Sequence, residues 1–140
     1  MKVEIDQSGR IEETNRDTII AFSNEKQFSV QIPAKVKRQL LEAFRRWGKP
    51  KTFKYRTFAF GVSILLQKSG ISAKNLSLII DNEYPGHENS IKDIIRSKFD
   101  PKIEIDFESI GKKSKAHYAA YGAFMGRQEA GYVADFEDFV

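Results

Sequence analysis

IIDNEYPGHE, residues 79–88, decides how this chain is read. A run of apolar residues ends in Asp81, with Glu83, a Tyr-Pro-Gly turn, His87 and Glu88 following within seven positions. Residues 76–81 form a continuous apolar stretch of strand length, the kind covered on both faces of a sheet. A strand that ends in a carboxylate and opens into further acids is either a polar loop or one half of a metal site. Which it is depends on the strand beside it.

MKVEIDQSG, residues 1–9, supplies that neighbour. Val3-Glu4-Ile5-Asp6 alternates, and Gln7-Ser8-Gly9 is a turn signal. Ile11 begins a return strand that resumes at residues 18–22. Residues 28–32 alternate again and stop at Pro33, so the first third predicts a three-stranded antiparallel meander.

Helices follow. Val36, Leu40, Leu41 and Phe44 recur at helical spacing, with Lys37, Arg38, Glu42, Arg45 and Arg46 mostly opposite, until Gly48 and Pro50. A second helix, residues 55–68, is apolar nearly all round and ends at Gly70. A third covers residues 87–99 with Ile91, Ile94, Ile95 and Phe99 inward. Ile103, Ile105 and Phe107 alternate with acids in a fifth strand. A last helix runs from about Ser114 into the 120s, narrow through its alanines. The acidic end, residues 134–140, adds a turn or frays. Three antiparallel strands followed by helix-linked strands predict an α/β domain over residues 1–140, with a mixed five-stranded sheet.

In that order the fourth strand pairs beside the first, at a spacing of ~4.8 Å. Asp6 and Asp81 then stand at matching strand ends, where carboxylates can hold one divalent ion or bridge two that lie ~3.5–4 Å apart. Glu83 shares their face if the chain stays extended. Glu88 and His87 follow the Pro85-Gly86 turn and can fold back over the same end. Hard oxygen ligands select Mg²⁺ or Mn²⁺. Taken singly, each Asp has the ordinary explanation of a turn or capping residue.

Charge is unevenly placed. The chain of 140 residues carries a net +4, is 41% hydrophobic and 30% charged, and contains eleven Phe. Residues 35–56 hold nine Lys or Arg against one acid, Glu42. Lys112, Lys113 and Lys115 form a second basic cluster at the start of the last helix, where a phosphate would also meet free backbone N–H groups. Lys35, Lys37, Arg38, Arg45 and Arg46 are candidate contacts to a nucleic-acid backbone; a solvated helix face is the plainer explanation. Tyr84, in the loop after Asp81, is a candidate to stack on a base. With no Cys there is neither a disulfide nor a thiolate zinc site, which fits a reducing cytoplasm. MKVEID is no signal peptide, and no apolar run reaches membrane-span length.

These stretches, with IGKKSKAHYAAYGAF (residues 110–124), resemble the ribonuclease H-like superfamily, which includes ribonucleases H and Holliday-junction resolvases. The resemblance implies helices on both faces of the sheet, with the basic helix after the meander as an insertion. It implies that Asp6 and Asp81 hold Mg²⁺ or Mn²⁺, that Glu83 and Glu88 complete the ligand shell, and that His117 assists from the last helix. The implied activity is metal-dependent hydrolysis of phosphodiester bonds. Ribonuclease H itself has a Glu on the helix before the fourth strand; YRTFAFGVSILL has no acid, and a resolvase-like arrangement fits more easily. The rival expectation is the same fold without chemistry, gripping nucleic acid or a protein partner. A small-molecule enzyme lacks support, since the chain has no Gly-rich phosphate loop and no nucleophile elbow. DNA versus RNA, and monomer versus homodimer, stay open.

Overall fold

Strand β1 (Lys2–Ser8) shows the period-two pattern of a sheet with a buried face. Val3 and Ile5 are wholly buried while Lys2 and Glu4 face solvent. A computed structural model describes residues 1–23, 27–109 and 129–140. In it β1 is joined by β2 (Thr18–Ser23), β3 (Gln27–Ile32), β4 (Ser77–Asp81), β5 (Glu104–Glu108) and β6 (Tyr132–Val133). They form one mixed sheet in the order β5-β4-β1-β2-β3-β6. β1, β2 and β3 are antiparallel neighbours, whereas β4 runs parallel to both β1 and β5.

The sixth strand corrects the expected five. Tyr132 and Val133 pair in parallel with Val30 and Gln31. Two residues are too few to carry an alternation signal, and the acids around them read as a tail. That tail ends in a 3₁₀ turn, Phe136–Phe139, closed at its start by a reciprocal pair of hydrogen bonds between Asp135 and Asp138.

Three helices are described: α1 (Ala34–Arg46), α2 (Phe53–Ser69) and α3 (Glu88–Lys98). α1 is amphipathic, burying Val36, Leu40, Ala43 and Phe44. α2 is buried on most sides and begins two residues before its predicted start, because Pro50–Thr52 forms a 3₁₀ turn that leads straight into it. It ends at Gly70, whose φ of +72° is the left-handed conformation glycine adopts freely. α2 packs on β2 and β3, and α3 packs against α2. The helix expected from about Ser114, which would cover the other face, lies outside the described residues.

Gly61 sets how closely α2 approaches the sheet. A Cβ there would stand 2.6 Å from Ile20 Cδ1 and 3.2 Å from Ile32 Cδ1. The core between helices and sheet is built from Val3, Ile5, Ile20, Val30, Leu65, Leu78 and Ile80, all essentially inaccessible.

The chain from Gly9 to Asp17 does not start the return strand at Ile11. It folds on itself through Glu13 N–H to Arg10 O (3.1 Å) and Arg16 N–H to Glu13 O (3.4 Å), with Ile11 buried beneath. This loop also caps α1: Asp17 Oδ1 accepts from Ala34 N–H at 2.8 Å and Oδ2 accepts from Gln31 Nε2 at 2.8 Å.

Candidate metal centre

The parallel register of β1 and β4 pairs Ile5 with Ile80. One step further along both strands come Asp6 and Asp81, and paired residues of parallel strands project to the same face. Asp6 is buried (4% exposed), Asp81 is half-buried and Glu83 is exposed. Past Asp81 the chain does not stay extended. Asn82 N–H still bonds Glu108 O on β5 (3.0 Å), but Glu83 N–H turns back to Asp81 O (2.9 Å). That tight turn brings the Glu83 carboxyl to the two aspartates, and one oxygen from each of Asp6, Asp81 and Glu83 lies within 4.8 Å of the others.

Three carboxylates at that spacing repel one another, and Glu83 absorbs the strain. Burial of its carboxyl end raises its pKa from 4.5 to about 7, reinforced by a hydrogen bond with Asp81 and by the charges of Asp81 and Asp6. Arg10, just beyond β1, opposes the shift. The residue as a whole stays accessible; the carboxyl itself is turned inward to the aspartates. Near neutral pH a proton therefore does part of what a cation would do there. Asp6 is further fixed by Gln7 N–H, which donates to its Oδ1 at 2.9 Å. An all-oxygen donor set of three carboxylates suits a hard divalent cation such as Mg²⁺ or Mn²⁺.

Behind the cluster the next residues turn inward. Tyr84 is 5% exposed, its ring tilted against Phe58 at 5.2 Å between centroids. Its hydroxyl exchanges hydrogen bonds with the Gln7 amide, at 3.1 Å from Nε2 and 3.3 Å to Oε1. Burial pushes the hydroxyl pKa far above its usual range. Tyr84 thus packs in the core and offers no face to a base, contrary to the expectation from its loop position. Gln7 projects to the helix side of the sheet and draws it in.

Glu88 does not join the cluster either. Its carboxylate accepts from Gly86 N–H (2.7 Å to Oε1), closing the turn that starts α3. His87 stacks flat on Tyr55, 4.0 Å between centroids and 10° between planes.

Lys37 is the clearest departure among the expected phosphate contacts. It is wholly buried, and its Nζ donates to Arg10 O (3.0 Å), Glu13 O (2.6 Å) and Thr18 Oγ1 (3.0 Å). Burial lowers its pKa from 10.5 to about 8, against the attraction of Asp17, Glu13 and Glu12. It is a clamp on the β1–β2 loop and cannot reach a phosphate. Lys35, Arg38, Arg45 and Arg46 are exposed. Lys35, Arg38 and Arg46 line an open groove of about 500 Å³ on α1, where Arg38 Nη1 also bonds Thr14 O at 2.8 Å. Arg45 sits 3.8 Å from Glu42. His117, Lys112, Lys113 and Lys115 lie outside the described residues.

Two residues near the centre were not anticipated. Glu108, on β5, is registered opposite Asp81. Its signal was present in the sequence, since acids alternate with Ile105 and Phe107 and Glu108 ends its strand as Asp81 ends β4. Arg10 had no signal beyond following Gly9. Comparison with protein-family models, curated proteins and solved structures finds no match to this chain. Among the described residues no helix is long and apolar enough to cross a membrane.

Proposed function

We propose that this chain is a metal-dependent nuclease, or a closely related nucleic-acid-processing protein, that hydrolyses phosphodiester bonds on a ribonuclease H-like sheet. The observation that carries the reading is the convergence of Asp6, Asp81 and Glu83 within 4.8 Å, from two adjacent strands and the turn that follows one of them. The parallel placement of β4 beside β1 supports the fold assignment, because the resemblance implies a fourth strand next to the first.

Asp6, Asp81 and Glu83 would hold Mg²⁺ or Mn²⁺. Bound there, such an ion would supply Lewis-acid polarisation of a phosphoryl oxygen and a lowered pKa for attacking water. Gln7 N–H keeps Asp6 oriented, and Tyr84 keeps Gln7 in place. Glu83, with a pKa of about 7 when no ion is bound, would release its proton on taking the ion and act as a ligand. Lys35, Arg38, Arg45 and Arg46 give a cationic surface for a phosphate backbone.

A specific observation favours a second reading. α2 carries no acid, so no carboxylate from that helix joins the cluster. On this reading the fold binds nucleic acid without cutting it.

Incubation with single-stranded DNA, duplex DNA, RNA, an RNA–DNA hybrid and a four-way junction, with Mg²⁺, Mn²⁺ or EDTA, separates the two. Divalent-dependent cleavage that is lost in Asp6→Asn supports the nuclease. Equal cleavage by Asp6→Asn sinks the mechanism. Salt-sensitive binding with no cleavage under any condition selects the binding module.

A further inference from the structure

Away from the carboxylates, α1 and α2 enclose a second, smaller pocket with the C-terminal 3₁₀ turn. Phe44, Trp47, Phe60 and Phe139 wall it, and Arg56 and Thr57 line it too. Its volume is about 200 Å³. Sites for drug-sized molecules run from about 300 to 1,000 Å³, so this one has room for a single flat ring system.

Two features mark it as more than a packing gap. Thr57 is wholly buried, and neither its Oγ1 nor the buried Arg56 Nε has a hydrogen-bond partner among the described residues. Buried polar atoms are normally paired, and a site that leaves a donor and a hydroxyl unmet beside aromatic walls is shaped for a ligand with both a π-face and acceptors. Trp47, meanwhile, is 52% exposed and meets Phe44 in a T-shaped pair, 5.3 Å between centroids. A large aromatic held at the mouth of a pocket and left open to solvent is a stacking platform.

Charge selects among possible occupants. The charged residues that line the pocket are the cations Lys49 and Arg56, although Phe139 belongs to the turn that carries Glu137 and Asp138. A Phe or Leu from a protein partner would fill the space but leave Arg56 Nε and Thr57 Oγ1 unpaired. A nucleobase meets all three demands: a ring face for Trp47, ring nitrogens and carbonyls for Arg56 and Thr57, and a phosphate backbone for Lys49.

We propose that the Trp47–Arg56–Thr57 pocket is a subsite that takes one unstacked base of a single-stranded nucleic acid. It rests on the nucleic-acid reading above and adds the substrate class: a strand with at least one base splayed out. The pocket reads a base where the α1 surface reads only backbone charge.

Trp47 is the sole Trp, so its fluorescence reports on this pocket alone. The full chain is titrated in EDTA, where no divalent-dependent cleavage intervenes. The titrants are a short homothymidine strand, an abasic strand of equal length and charge, and an acidic Phe-containing peptide of equal charge. The homothymidine strand should quench Trp47 and bind roughly fivefold or more tighter than the abasic one, the low end of base–aromatic stacking. Thr57→Val should remove most of that advantage while leaving abasic binding unchanged, whereas Arg56→Gln, which also deletes a cation, should weaken both strands and narrow the gap between them. Equal affinity for the two strands overturns the pocket and leaves the nucleic-acid reading standing. Tighter binding of the peptide than of either strand overturns it in favour of a protein partner. Failure of both strands to bind overturns the pocket, and the nucleic-acid reading is then decided by the duplex, hybrid, RNA and junction substrates with divalent ion.

Discussion

Asp6 and Asp81 stand side by side because β1 and β4 run parallel in the register that sets Ile5 opposite Ile80. More than seventy residues separate them in sequence, and the crossover through α1 and α2 returns the chain to the same sheet edge-on to β1. The consequence is a concentration of negative charge that a divalent cation would relieve.

That relief is measurable without any substrate. At about 100 times its Kd, a ligand that binds only the native state stabilises it by about 2.7 kcal/mol. Mn²⁺ should raise the unfolding temperature of the native sequence accordingly, and Asp6→Asn and Asp81→Asn should lose most of the rise. Each variant's own unfolding temperature in EDTA is the baseline for its Mn²⁺ rise, and in Asp6→Asn the amide oxygen can still accept from Gln7 N–H. An undiminished Mn²⁺ effect in both variants would exclude the cluster as the ion's site.

Glu83 should make stability depend on pH in an unusual direction for a carboxyl group. Its pKa is about 7 folded against an ordinary 4.5. Between those values the native state holds a proton the unfolded chain has lost, so Glu83's contribution is full below about pH 4.5 and disappears as pH rises through about 7. Glu83→Gln should flatten that slope and be the more stable protein at pH 8. Mn²⁺ binding displaces the same proton, so in the native sequence its affinity should climb through pH 7. Urea unfolding across the range tests the first claim and calorimetry in two buffers the second; parallel stability profiles for the two proteins would contradict the linkage.

How much of this was legible beforehand differs by residue. The alternation in β1 and β3, the apolar run of β4 and the amphipathic pattern of α1 were all visible, because each depends on local periodicity. The Asp6–Asp81 juxtaposition followed once strand order was inferred. Lys37 was not legible: it counts as one cation among nine, and nothing local shows that its helix position faces the β1–β2 loop. Tyr84 and Glu88 failed for a related reason. Both sit in a turn signal, and a turn signal does not say which side chains it sends inward. Glu83 reached the cluster through a tight turn, when extension had been the stated condition.

Lys37→Met should test the clamp. Met keeps the stem but leaves Arg10 O, Glu13 O and Thr18 Oγ1 without their shared donor. Arg10 O and Glu13 O keep their loop N–H donors, so the cost is the loss of hydrogen bonds from a charged group, about 1.5–3 kcal/mol each, which partial relaxation of the loop brings to roughly 2–3 kcal/mol in all. The pH sign is opposite to that of Glu83. Lys37's pKa falls from 10.5 to about 8, so the unfolded chain binds more protons between those values and the native protein gains on the Met variant as pH rises through that window. A loss under about 0.5 kcal/mol in urea would mean that the loop is held by its other contacts, Asp17 and Arg38 among them.

Gly61→Ala sets two known effects against each other. Alanine in a helix interior gains up to about 1 kcal/mol over glycine. The new Cβ would arrive 2.6 Å from Ile20 Cδ1, and overpacking a filled core costs about 1–3 kcal/mol. The overpacking should win, for a net loss of about 1 kcal/mol. Ile20→Val alone deletes that Cδ1 and should cost about 0.5–1.5 kcal/mol as a cavity. Combined, the alanine methyl fills the space the valine vacates, so the double variant should be more stable than either single one. Denaturant midpoints for the four proteins decide it: simple additivity would show that α2 shifts away from β2 to admit the methyl, and that Gly61 does not set the helix–sheet distance.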